Sequence, residues 1–410
     1  MAMARLEASQ VQYARGTGVT SDAAPIAHVS PLISRLSLVT TLEGLAGLEA
    51  GWRKLELTGA RPHGVFQSFH WLHSWANTYA APGCNEELCI IAGFRGEQLA
   101  FVWPLMKNAS GPVKVLRWAS EPLAQYGDIL IAPAENPMEW LLAATELIRR
   151  LRNIDSIRLR HVRSDAIAAP FLRTAFRDGR LIEHAPWLDL SAFANDTAYE
   201  ARYNSSQRKR RKKIRKGLEG KFGPLKFEMV KAGACNDAAM RQAIAEKCKW
   251  LDERGRQNRI LGSSLLMDFL KGLSRAKGPP FELVTSRMTA GSTDLSWEIG
   301  LRFGTSHFGF ITSHVNALTD YSPARLHMDY SQRRALADGM TVFDLMVPHD
   351  AHKESWSSAA METRDYHLAL SPMGWAYGLI YLETLRPRLR AAYYRLPAKI
   401  LRLLKPFTGH

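Results

Sequence analysis

Apolar positions along this chain switch between two spacings, and the switches occur in the same order twice. Residues 35–40 alternate and predict a first strand. Leu45, Leu48, Trp52 and Leu55 then recur every three or four residues, which predicts a helix over 42–57. Phe66, Gln67, Ser68 and Phe69 lead into a second helix that runs to Tyr79. Strands follow at 88–95, 98–105 and 113–118, the first two joined by the hairpin signal Arg95-Gly96-Glu97. A strand at 129–132, a helix at 139–150, a strand at 156–161, a helix at 168–177 and a strand at 181–190 complete the first half. After Asn195 the pattern predicts a strand at 226–230, helices at 238–253 and 264–276, and strands at 281–287, 295–303 and 306–312. A helix at 324–337, a strand at 341–346, a short helix near Trp356 and a strand at 364–370 follow. The halves share this order but not their residues. The pattern predicts an α/β fold (α+β with mixed sheets) in two tandem domains, at 34–195 and 196–370. A small, polar N-terminus at 1–33 is expected to be disordered, and a basic amphipathic tail occupies 371–410.

The densest stretch lies in the second half, from Tyr321 to Trp356. Ser322 is placed to cap a helix and Pro323 to occupy its first position, while Gly339 is placed to stop it. The strand that follows leads through Val347-Pro348 to a polar cluster of His349, Asp350, His352 and Lys353. A helix N-terminus beside a strand with polar groups at its C-terminal end suits an anionic ligand, because free N–H groups and the helix dipole meet there.

The Ser-Pro-x-x-Leu helix start at Ser322, the Phe343-Asp344 strand and the Asp350-x-x-Lys353-x-x-Trp356 ending resemble the CelD/BioF2-like acyltransferases of the GNAT superfamily, relatives of the FemAB-like transferases. The resemblance spans about residues 36–370. Family members read Pro-Gly where this chain has Pro323-Ala324, and Tyr-Lys where it has His352-Lys353. The resemblance implies two GNAT-like acyl-CoA N-acyltransferase domains, acyl-CoA as a co-substrate rather than a permanently bound cofactor, and a role in cell-surface or extracellular polysaccharide making, including cellulose. In such a fold the strands at 306–312 and 341–346 splay apart to hold the thioester, and the Ser322 turn takes the pyrophosphate. Ser322, Pro323, Ala324, Arg325 and Phe310 are then the donor-binding positions. Gln67, Trp71, Tyr126 and Asp128 match the family's substrate side.

Charge sharpens this picture. The chain carries 54 Lys and Arg against 39 Asp and Glu, a net +15, which points to an anionic partner. Eight of the nine residues from Arg208 to Lys216 are basic, so this run cannot be a core face. Arg208 and Lys212 are its candidate contacts to a phosphate-bearing substrate. From Trp375 to Phe407 apolar residues alternate with arginines and lysines, a pattern suited to lying on an anionic bilayer or to packing across the preceding domain. Four cysteines without matched His or Cys partners argue against a metal site and a disulfide framework, and fit a reducing compartment. The N-terminus lacks a signal-peptide layout, and no window of about 18 uninterrupted apolar residues predicts a membrane span. The expected location is cytoplasmic, peripheral to the inner membrane face if the tail binds it.

For the chemistry, the candidate groups are Asp350, Lys353, His349 and Glu298, with His314 and His352 as further histidines. A histidine or carboxylate suits proton removal from an ammonium. Lys353, three residues from Asp350, is expected to stay protonated and to stabilise an oxyanion or a phosphate. The expected activity is acyl transfer from a coenzyme A or carrier thioester to an amine or hydroxyl, with an anionic, glycan or lipid-linked acceptor. Two alternatives stand beside it. One is an aminoacyl-tRNA-dependent, FemAB-like transfer that the basic run would serve. The other is a non-catalytic protein that keeps the fold, a reading to which the missing glycine after Pro323 gives substance.

Overall fold

The structure, a computed structural model, describes residues 35–396 apart from 60, 81–83, 109–110, 232, 257, 259 and 277. The N-terminal expectation, and the tail beyond 396, lie outside the described residues. Strands β1 (Arg35–Val39), β2 (Glu86–Arg95), β3 (Gln98–Asn108), β4 (Val115–Trp118), β5 (Leu130–Ile131), β6 (Ser156–Arg163) and β7 (Arg177–Asp189) form the first half. β8 (Leu225–Met229), β9 (Phe281–Ala290), β10 (Thr293–Phe303), β11 (Ser306–His314), β12 (Val342–Asp344) and β13 (Ala359–Ala369) form the second. All belong to one mixed sheet in the order β1-β2-β3-β4-β6-β13-β7-β12-β11-β10-β9-β8, with β5 paired to β3.

The order is symmetric about its centre. Each half is an antiparallel run ending in one parallel pair, β4 with β6 and β11 with β12. Each half's final strand then crosses to the other side: β7 pairs with β12, and β13 lies between β6 and β7. The two halves therefore share a continuous sheet instead of standing as two separate ones. Alternation in the sequence could not reveal this, because a strand's own pattern does not name its neighbour.

The helices of the first half are α1 (Leu42–Gly47), α2 (Glu49–Gly59), α3 (Phe69–Tyr79), α4 (Pro137–Arg150) and α5 (Ala169–Ala175). The single helix expected over 42–57 is thus two, breaking at Leu48, whose N–H caps the first. In the second half α6 (Asp196–Ala201), α7 (Ser205–Phe222), α8 (Ala234–Glu253), α9 (Ser264–Arg275), α10 (Pro323–Ala337) and the short α11 (Ala351–Glu354) follow. The basic run is α7. It starts with a reciprocal capping box between Asn204 and Gln207, which satisfies two N–H groups at once.

Aromatic packing joins the halves. Trp71 on α3 meets Phe269 of α9 edge-on at 4.9 Å and Phe310 of β11 at 5.5 Å. Phe66 bridges Trp71, Tyr126 and Phe308. A buried polar contact adds to this. Asp344 at the end of β12 accepts hydrogen bonds from Tyr126 Oη at 2.7 Å and Arg163 Nη1 at 3.0 Å, both donors from the first half. Burial pushes the Asp344 carboxyl up from its ordinary range, against the opposing pull of Arg163 and the Tyr126 hydrogen bond.

Candidate active site

β11 and β12 run side by side for only three residue pairs, Ser306 with Val342 to Phe308 with Asp344. The strand expected at 341–346 stops at Asp344 for a local reason. Its carboxylate accepts the Met346 N–H at 2.7 Å, and Met346 takes a left-handed φ of +57° that turns the chain away. From Gly309 onward β11 has no strand on that side. Two adjoining clefts of about 350 and 330 Å³ open there, and Lys247, Thr312 and Lys353 line both.

The first cleft also holds Glu298, His314, Ala324, His327, Asp350 and His352. Phe310, Gln125 and Pro348 line the second. Lys353 comes from α11, and its ammonium donates to the carbonyls of Met346 at 2.9 Å and Pro348 at 3.0 Å. Burial pulls it down to about 8, against an opposing pull from Asp350. The ammonium therefore remains the main form at neutral pH, held by less than the ordinary margin of a lysine. Asp350 instead caps α11, its carboxylate accepting the backbone N–H of Lys353 at 2.8 Å. Lys247 on α8 is also lowered by burial. Two weakened cations thus face one gap, an arrangement suited to an anion or a developing oxyanion.

The titratable groups around them divide by charge state. Burial lowers His314 and His352, with Arg325 adding to the effect on His352, so both imidazoles are neutral at pH 7. Glu298 on β10 behaves oppositely. Burial pushes its carboxyl up, but the hydrogen bond and charge of His307, 2.7 Å away, prevail and leave it below the usual range. Its other oxygen, Oε2, is buried, and the Ser331 side chain adds a lesser pull in the same direction. His327, beside it on α10, lies between Ser286 and Ser296 at 2.8 Å each and is pulled down by burial to about 4. The cleft thus offers an ionised carboxylate and neutral imidazoles as proton acceptors.

α10 points its first turn at the same cleft through Ala324. Ser322 does not cap this helix. It adopts φ +50° and ψ +47°, and its side chain makes no capping hydrogen bond, because the left-handed turn aims it elsewhere. The first-turn N–H groups consequently lack a side-chain cap. Pro323 is buried at the first position, and Arg325 lies within electrostatic range of His352 and Arg210.

Other expected site residues lie elsewhere. His349 turns away from Lys353 and lines a separate cavity of about 500 Å³, bounded by β7, β13 and the C-terminal helix. Gln67, Trp71, Tyr126 and Asp128 are buried in the first half and line neither cleft. Gln67 donates to the Tyr126 carbonyl at 3.0 Å and Trp71 to Ser120 at 2.7 Å. Asp128 accepts the backbone N–H groups of Ile129, Ile167 and Ala168. They hold the core and its loops in place; hydrogen-bonded polar groups at such depth are ordinary core features. Arg208 donates to the Tyr203 carbonyl at the foot of α7, and Lys212 is exposed on it; neither lines the clefts.

Lys247 was not singled out from sequence, although a signal existed. It continues the inward stripe of Met240, Ala243 and Ile244 on α8, so a lysine stands where the helical period asks for an apolar residue. The equivalent gap of the first half is different. β4 and β6 pair at Val115–Ser156 and Leu116–Ile157, and just beyond, buried Glu121 is held by Arg158 at 2.6 Å and Arg160 at 3.4 Å. Ion pairs bridge that gap, whereas the second half leaves its own open. Among the described residues no cluster of His, Cys, Asp and Glu could hold a metal ion, and no helix is long and apolar enough to cross a membrane.

Comparison with known proteins finds a family match in the second half. Residues 205–354 match the family model described as acetyltransferase (GNAT) domain. The region from α7 to α11 is thus similar to an acyltransferase domain of GNAT type, which supports an acyltransferase enzyme. The solved structure of FemX is similar over 87% of this chain and 100% of its own, with a TM-score of 0.54 and 13% identity. A conserved protein of unknown function from Bacteroides thetaiotaomicron VPI-5482 is similar over 82% of this chain and 99% of its own, with a TM-score of 0.52 and 12% identity. At these identities the likeness is one of fold. No curated protein matches the sequence.

Proposed function

We propose that the chain transfers an acyl group from an acyl-CoA or carrier thioester to an amine or hydroxyl, with the open gap between β11 and β12 as the donor site. The observation that carries this reading is the pair of clefts where β11 loses its strand partner, with an uncapped helix start on one side and Lys247 and Lys353 lining both. Exposed backbone along β11 can hold a pantetheine arm, and the first turn of α10 can take a pyrophosphate. Glu298, His314 or His352 receives the proton of the incoming nucleophile. The acceptor class, in surface or cellulose-type polysaccharide making, is carried by the sequence resemblance.

A thermal-shift screen of acyl-CoA thioesters tests the donor site. A ligand at about 100 times its dissociation constant stabilises the fold by about 2.7 kcal/mol. Ala324→Glu places an anion at the helix start and is expected to remove that stabilisation while the unliganded melting temperature holds. Stabilisation that survives the change removes the pyrophosphate from this turn. A complete absence of stabilisation by any thioester favours the non-catalytic reading.

A second reading, an aminoacyl-tRNA donor, rests on α7, whose Arg210, Lys212, Lys213 and Lys216 are all exposed. Arg211 is different, since it stacks over Tyr203 and pairs with Glu200 at 2.8 Å. Reversal of Arg210, Lys212 and Lys213 to Glu therefore changes charge without touching that contact. On this reading the triple variant loses tRNA binding and its salt dependence in a gel-shift titration. If tRNA does not bind the wild type at low salt, the thioester reading stands alone.

A further inference from the structure

After β13 the chain continues as one helical rod: α12 (Pro372–Ala376), a π-helical stretch (Tyr377–Leu385) and α13 (Arg386–Arg395). One side of the rod is fastened to the sheet. Gly374 and Gly378 approach so closely that an added Cβ would lie 1.8 Å from the Asp155 carbonyl and 2.2 Å from the His367 ring. Arg386 pairs with Asp365 at 3.2 Å, Arg390 with Glu183 at 2.5 Å, and Glu383 with Arg177 at 3.2 Å.

The other side is apolar and bare. Of the twelve large hydrophobic side chains exposed among the described residues, seven lie on this rod: Met373, Trp375, Leu379, Ile380, Tyr381, Leu385 and Leu389. Trp375 and Ile380 are 55% and 61% exposed, unusual for residues of their size in a water-facing helix. The charges beside this strip have one sign. The rod's single carboxylate, Glu383, is turned onto Arg177, while Arg388 and Arg395 are exposed. From Thr384 to His410 the sequence holds seven Lys and Arg and no Asp or Glu.

We propose that the outward face of this rod docks on an anionic phospholipid bilayer, lying in the interface plane. Apolar side chains with a tryptophan and a tyrosine enter the headgroup boundary, and the cations meet lipid phosphates. A second copy of the chain is a poorer occupant. A twofold contact through this strip sets Arg388 and Arg395 of both copies together, with no carboxylate on the strip to separate them. The proposal is independent of the acyl-transfer reading, since the clefts and the rod are separate surfaces.

Sedimentation of the full chain with vesicles tests it. The expected result is co-sedimentation with vesicles of phosphatidylcholine mixed with phosphatidylglycerol, weakened by salt, and little with phosphatidylcholine alone. Replacing Trp375, Ile380 and Leu389 together by Ser removes side chains that are each more than half exposed, so the melting temperature changes little while vesicle binding falls about tenfold or more. Three results overturn the proposal. They are a wild type that stays in the supernatant with the anionic vesicles, a triple variant that pellets as the wild type does, and a solution dimer that the triple substitution dissociates in a protein with no vesicle binding.

Discussion

Replacing Lys353 with Ala is expected to lower turnover about 10²-fold or more, the scale of losing one donor to a developing oxyanion, while donor affinity changes little. The lysine reaches the shared wall of both clefts, and burial brings it down to about 8. A group so poised changes charge within the working range. If it acts as a cation, turnover falls as pH rises through about 8, and the Ala variant loses that limb of the profile. If it acts as a base, the limb inverts. Its effect on stability has a defined sign. The folded value lies below the ordinary lysine value, so the unfolded chain holds the proton more tightly between about 8 and 10.5. The penalty for burying the ammonium is complete below about 8 and fades as pH rises toward 10.5. The melting temperature of the Ala variant relative to wild type should therefore move down across that window. Asp350→Asn keeps a capping oxygen and is expected to cost turnover less than Lys353→Ala, without full additivity in the double variant, because the Asp350 charge acts on the Lys353 ammonium. Wild-type turnover in a folded double variant would move the search to Glu298 and His314.

Ending the chain after Ser358, which removes β13, is expected to leave no soluble folded protein. β13 lies between β6 and β7, pairs with both and buries Tyr366 and Thr363. Its loss opens two strand edges at the centre of the sheet, and such edges pair with other chains. The net stability of a domain, about 5–15 kcal/mol, is small beside the lost hydrogen bonds and buried area. Tyr366→Ala is the graded form, expected to cost about 3–5 kcal/mol by chemical denaturation, as large aromatic truncations in cores do. A soluble truncated chain with a wild-type melt would show that β13 is dispensable to the fold.

Much of the local structure was legible in the sequence because alternation and helical spacing are local. The helix at Pro323 and the hairpin around Gly96 follow from their residues. The cleft was partly legible: Glu298, Ala324, Phe310, Asp350 and Lys353 all line it. What escaped was set by distant contacts. Trp71 and Tyr126 combine apolar area with a polar handle, a composition that core and binding site share; only their partners, Ser120 and Asp344, assign them to the core. His349 and Lys353 are four residues apart, yet the turn into α11 sends them to opposite sides. Neither Lys247 nor the exchange of β7 and β13 is visible without knowing which elements meet.

The hydrogen bonds at Asp344 have a mechanical consequence. Tyr126 and Arg163 grip its carboxylate, that carboxylate grips the Met346 N–H, and the Met346 carbonyl grips the Lys353 ammonium. The lysine that lines both clefts is thereby moored, link by link, to the half that lines neither cleft with a charged group. That half serves as an anvil: it brings no charge to the clefts, but it fixes where the lysine stands, so a slip of one half against the other is passed on to the ammonium.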